Sequence, residues 1–108
     1  MATKAKLLNR KVGADTRLVE QVLRKDFPDA AVDAYRYNSV SIRVRILDTA
    51  FEGKNRVQRE SLVLPVIRRL PQEIQDDITI LLLLTPTEHR NKESMLDLEF
   101  EHPTRSRL

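Results

Sequence analysis

The sequence predicts a small α+β fold: a two-layer sandwich of a three-stranded mixed sheet, with a fourth C-terminal strand as an option and helices on one face. Three observations carry this prediction. Asp15–Phe27 repeats apolar residues (Leu18, Val19, Val22, Leu23, Phe27) at helical spacing. Val40–Asp48 alternates Val40, Ile42, Val44 and Ile46 with Ser41, Arg43 and Arg45, as a half-buried strand does. Ile78–Leu84 is an unbroken apolar run of strand length that ends in Thr85-Pro86. A helical pattern separates the last two, so a right-handed crossover should bring the third strand back parallel to the second. Helices over one side of such a sheet give two layers around one core.

The elements follow in order. Met1–Ala14 is basic, with Lys4, Lys6, Arg10 and Lys11 and no acid, and reads as a tail. Asp15 is placed to cap the first helix by accepting its free amides. Pro28 stops that helix by disfavouring helical dihedrals at Phe27. Ala31–Tyr37 and Val40–Asp48 form a hairpin, with Asn38-Ser39 as the turn. That register puts Tyr35 and Tyr37 on the core face and Arg36, Arg43 and Arg45 together on the opposite face. Gly53 should supply a turn conformation that a side chain resists. Asn55 and Gln58 have the spacing of a capping box for the next helix. Pro65 should kink or split that helix. Pro71 opens a short turn through Asp77, with Ile74 directed inward. The apolarity of Ile78–Leu84 predicts a strand covered on both faces or central in the sheet. Thr85, Pro86 and Glu88 read as cap, first helical residue and capping-box acid. Met95–Glu101 alternates Leu96, Leu98 and Phe100 with Asp97, Glu99 and Glu101, the pattern of a fourth strand or an extended arm. The expected layout is a tail over 1–14, one domain over 15–101 and a tail over 102–108.

Composition narrows the chemistry. The chain has 108 residues, enough for one self-standing core. It has no cysteine, which removes disulfides, thiolate metal sites and cysteine nucleophiles. Met1–Arg10 lacks the apolar stretch of a secretory leader, and no run approaches the ~20 residues of a membrane span. A cytoplasmic location without membrane contact is the expectation. The net charge of +3 is mild for a dedicated nucleic-acid binder.

Phe51-Glu52-Gly53-Lys54, then Val57-x-Arg59, then an apolar strand ending Thr85-Pro86-x-Glu88, together resemble the BolA family. The similarity spans roughly Asp15 to Glu88. It implies the order α-β-β-α-α-β, similar to the type II KH fold. It also implies association with monothiol glutaredoxins, iron–sulfur handling and stress-linked DNA binding. Two departures weigh against carrying over the iron–sulfur chemistry. The family's histidine after the helix arginine is Glu60 here, and the region of its second histidine reads Asp76-Asp77. A carboxylate is a harder ligand than imidazole and suits such clusters poorly.

Other constellations are weak. His89 and His102 are far apart in sequence, and a metal site needs more donors at matched spacing. Asp76 and Asp77 are adjacent loop acids that rarely converge on one point. Arg36, Arg43 and Arg45 could contact phosphates on an open sheet face, but such platforms normally add exposed aromatic rings. Lys54, Arg56, Arg59, Arg68 and Arg69 form a second basic surface. It suits an acidic partner, or the acidic segment Asp97–Glu101 of another copy. The sequence therefore points to a non-enzymatic BolA-like protein-binding or regulatory domain without cofactor or metal, as a monomer or weak homodimer. Its docking residues would be Phe51, Glu52, Gly53, Lys54, Arg56 and Arg59, with Phe51 in a structural role. The alternative is a nucleic-acid-binding regulator that uses Arg36, Arg43 and Arg45.

Overall fold

The computed structural model describes residues 12–106. The basic tail expected over 1–14 therefore lies outside the described residues, apart from Val12, Gly13 and Ala14. The elements are α1 (Ala14–Asp26), β1 (Ala31–Asn38), β2 (Ser41–Leu47), a 3-10 turn (Thr49–Phe51), α2 (Arg56–Ile67), α3 (Gln72–Asp77), β3 (Ile78–Leu84), α4 (Pro86–Arg90) and α5 (Met95–Glu101). The sheet order is β1-β2-β3, with β1 antiparallel and β3 parallel to β2. This is the α+β sandwich read from the apolar patterns. Val19 and Leu23 of α1 and Val63, Val66 and Ile67 of α2 bury against Val32, Ala34, Ile42, Val44, Ile46 and Leu83 of the sheet. Their removal from water is the main driving force for the fold.

Local chemistry sets the boundaries. Gly13, not Asp15, precedes the first helix, and its N–H donates to Thr16 Oγ1 at 2.9 Å. Asp15 lies one residue inside the helix, where its carboxylate is free to reach across to β1. Asn55 and Gln58 form the expected capping box, each side chain accepting from the other's backbone N–H at 2.9 Å. Gly53 has φ +72°, a left-handed conformation that costs a residue bearing Cβ. Pro65 does not split α2, which runs on to Ile67. The proline sits in the last turn, so it forfeits one bond near an end that frays in any case. Thr85 and Glu88 cap α4 reciprocally, with Pro86 at its first position.

Three expectations about the sheet are overturned. The first is the hairpin register. Asn38 pairs with Ser41, so the turn is Ser39-Val40, and Arg36 pairs with Ile42 while Tyr35 pairs with Arg43. The Asn38 side chain causes this by accepting from Val40 N–H at 2.9 Å, which makes it the residue before the turn. A bulge between Arg36 and Asn38 absorbs the extra residue. A one-residue slip exchanges faces. Tyr35 therefore lies on the face of Arg43 and Arg45, and Arg36 lies on the helix-covered face with Ile42.

The second concerns Met95–Glu101, which is the helix α5 and not a strand. It lies on the sheet face away from α1 and α2, with Phe100 edge-on to Tyr35 at 5.4 Å between ring centroids. The period-2 apolar pattern misleads because the residues that anchor α5 are Asp97, Phe100 and Glu101. Their spacing of three and four is helical. Of the residues expected as a C-terminal tail, 102–106 are described, and they fold back. Thr104 donates its N–H and hydroxyl to Glu99, and Asn38 Nδ2 donates to Ser106 Oγ at 3.1 Å.

The third is the place of β3. It is an edge strand despite its continuous apolarity, and Ile78, Ile80, Leu81 and Leu82 are only half-buried. Among the described residues no helix is long and apolar enough to cross a membrane.

Candidate functional site

The arginine face does not exist as an open surface. Arg36 donates to Asp15 of α1 at 2.6 Å, to Asp77 of α3 at 2.9 Å and to the Ser39 carbonyl at 3.0 Å. Burial raises the Asp15 pKa, but its hydrogen bonds from Arg36 and the Thr16 amide outweigh that and hold it below the usual carboxylate value. Arg36 thus ties α1, β1 and α3 together. Asp76 turns away from its neighbour and accepts from Gln72 at 2.7 Å.

Arg43 and Arg45 share a face, but α5 closes over it. Arg45 is buried and donates to Asp97 at 2.7 Å, to Glu101 at 3.0 Å and to Asp33 across the hairpin. Burial acts to lower its pKa, and the three carboxylates more than reverse this, so the guanidinium stays charged. Arg43 stacks its guanidinium 3.6 Å from the Tyr37 ring centroid and reaches Tyr35 Oη at 3.2 Å and Glu99 at 3.4 Å. His89 of α4 joins the cluster through Nδ1, 2.6 Å from Asp97 Oδ2. Arg36, Arg43 and Arg45 therefore lie on two faces and are each spent on holding the fold. The acidic segment Asp97–Glu101, expected to be available to another copy, neutralises its own sheet.

The docking residues also divide. Phe51 is buried in the core, with its ring 6.4 Å from that of Phe27. Arg59 is a clamp: it donates to the carbonyls of Lys54 and Leu83, both at 2.9 Å, and to Glu88 at 2.7 Å. It lowers the Glu88 pKa by that bond, against a smaller opposing effect of burial. Glu52, Gly53 and Arg56 are exposed, and the Arg56 side chain is 88% accessible.

Two features that sequence reasoning left unjoined meet beside Arg56. One is the outer edge of β3. The other is the row Arg56, Glu60 and Leu64 of α2, continued by Arg68 at its C-cap and spaced by four so that it lines one side of the helix. Between them runs a groove of about 350 Å³ bordered by all four and by Ile78, Thr79 and Leu81. It continues into a second hollow of about 260 Å³ between Arg56, Arg59, Glu60 and Leu81–Leu84, closed at the far side by Leu96 of α5. Met95, Leu96 and Leu98 leave an apolar outer face on α5 next to it. The apolarity of the strand was visible in the sequence, while its position at the edge, with β2 as its only described strand neighbour, comes from the sheet order. Among the described residues, no three side chains of the His, Cys, Asp or Glu type are gathered so as to hold a metal ion. No protein-family model matches this chain, and no curated protein matches it.

Proposed function

We propose that this is a non-enzymatic, BolA-like protein-binding domain whose contact surface is the groove between the β3 edge and α2. The observation that carries the reading is the half-exposed apolar strand at the sheet edge, flanked by Arg56, Glu60, Leu64 and Arg68 and continued by Leu96. Sheet edges offer unpaired N–H and C=O groups in a row, and natural proteins usually guard them with charge, proline or a covering loop. On this edge Arg59 covers the Leu83 carbonyl and the register with β2 is irregular between Ile78 and Ile80, while Ile80, Leu81 and Leu82 carry no charge or proline of their own. Main-chain pairing along an edge supplies affinity, and alternate side-chain contacts supply selectivity. The element order α1-β1-β2-α2-α3-β3 is the one the BolA resemblance implies. The engagement of Arg36, Arg43 and Arg45 by acids removes the surface on which a nucleic-acid reading was built.

The test is capture of partners from native lysate by the wild-type chain and by Leu96→Asp, each with and without nuclease. Leu96 is an exposed residue of the rim, so the change should leave the fold intact. The expected result is a discrete protein, further copies of this chain included, that survives nuclease and is lost with Leu96→Asp. Recovery of nucleic acid alone, equal for both baits, would overturn the reading.

A further inference from the structure

We propose that the occupant of this groove is a second copy of the chain, with the two β3 strands paired antiparallel about a twofold axis at Leu81. The inference rests on the protein-binding reading above and names its partner.

Backbone direction comes first. Asp48 N–H donates to the Leu84 carbonyl at 3.0 Å, which turns the backbone of Leu84 toward β2. Alternation then turns Leu82 and Ile80 inward and Leu83 and Leu81 outward. Arg59 reaches the Leu83 carbonyl from outside, in agreement. Leu81 is the midpoint of β3 and its outward-facing central residue. An antiparallel pair centred there lets the two Leu81 residues exchange both of their backbone bonds.

Charge complementarity comes second. Glu60, Leu64 and Arg68 line the same groove as Leu81, with Leu64 in the middle. An isologous contact must be its own complement. A twofold axis past Leu64 and Leu81 sets Glu60 of one copy against Arg68 of the other, and repeats the pair on the far side of the axis. The row Glu60-Leu64-Arg68 meets its own reverse with opposite charges matched and leucine on leucine.

The other sheet face agrees. Leu96 covers the Leu82–Leu84 end of β3 in its own copy, while Ile80 toward the other end is half-exposed. The same axis carries the second copy's Leu96 toward that Ile80. The product is a continuous six-stranded sheet with both β3 edges consumed.

Sedimentation equilibrium on the wild-type chain, Glu60→Arg, Arg68→Glu, an equimolar mixture of the two, and the double variant tests this. Both residues are at the surface, and circular dichroism checks that each variant folds. The wild type is expected to dimerise reversibly. Each single variant should raise the dissociation constant about tenfold or more, because two symmetric contacts become repulsive. The mixture and the double variant should recover the wild-type value. A dimer whose dissociation constant is the same for the wild type and both single variants would overturn the proposed register. A wild-type monomer at every concentration that still captures a foreign protein would overturn the second copy alone. A monomer that captures nothing would overturn the protein-binding reading with it.

Discussion

Arg45 shows how one residue decides what a surface is for. On a strand it reads as an exposed cation, yet it is 5% accessible and surrounded by Asp33, Asp97 and Glu101. Breaking a buried pair leaves a charge with neither partner nor water. Asp97→Ala should therefore cost about 3 kcal/mol of unfolding free energy, read by urea denaturation. Glu101→Ala removes a contact that water already screens, and should cost no more than about 1 kcal/mol. Equal losses would mean that Asp97 is not the anchor. Arg59 and Glu88 make a second such pair, at the junction of the Lys54 loop, β3 and α4. The Glu88 pKa is lowered in the folded chain, so the pair contributes fully above the ordinary glutamate value of 4.5 and fades as pH falls through the folded value. Stability should drop on acidification below about 4.5, and Glu88→Gln should flatten part of that drop. An identical pH profile in the variant would contradict this role.

At the scale of elements, the parts legible in the sequence are those set by local chemistry. The capping boxes at Asn55 and Thr85, the stop at Pro28 and the turn at Gly53 each follow from a residue's own donors, acceptors or permitted dihedrals. Of the parts that were not legible, one rests on a local choice between two turns and the other on distant partners. The hairpin register turned on whether Asn38 entered the turn or preceded it, and one hydrogen bond to Val40 decided that. The C-terminal segment fits a strand by its leucines and a helix by Asp97, Phe100 and Glu101. Only the arginines on β2 select between the two, and nothing in a seven-residue window contains them. The candidate site was half legible: the apolar run and the α2 row were visible, but their meeting at an unpaired edge needed the sheet order. If α5 is a structural cover, its aromatic anchor matters most. Phe100 is buried against Tyr35, and Phe100→Ala should cost about 3 kcal/mol or more. A loss below about 1 kcal/mol, measured by denaturant titration, would show that α5 is only loosely attached.

Across the whole molecule, charge and apolar surface are divided between two tasks. Among the described residues most ion pairs face inward or span elements: Arg36 joins α1, β1 and α3, Arg45 joins the hairpin to α5, and Arg69, just after α2, reaches Asp26 of α1. Part of the apolar surface left over runs from Ile78 through Leu82 to Leu96 and Met95, and Val12, Val40, Val57 and Leu62 are exposed as well. On the proposed reading, the apolar stretch of this edge around Leu81 is completed by another chain. The most direct test is amide hydrogen exchange at the β3 edge as a function of protein concentration. The Leu81 N–H should exchange quickly in dilute solution and become protected as concentration rises, while inward-facing Leu82 is protected throughout. A Leu81 amide that exchanges equally fast at every concentration would contradict the assignment of this edge to a second copy.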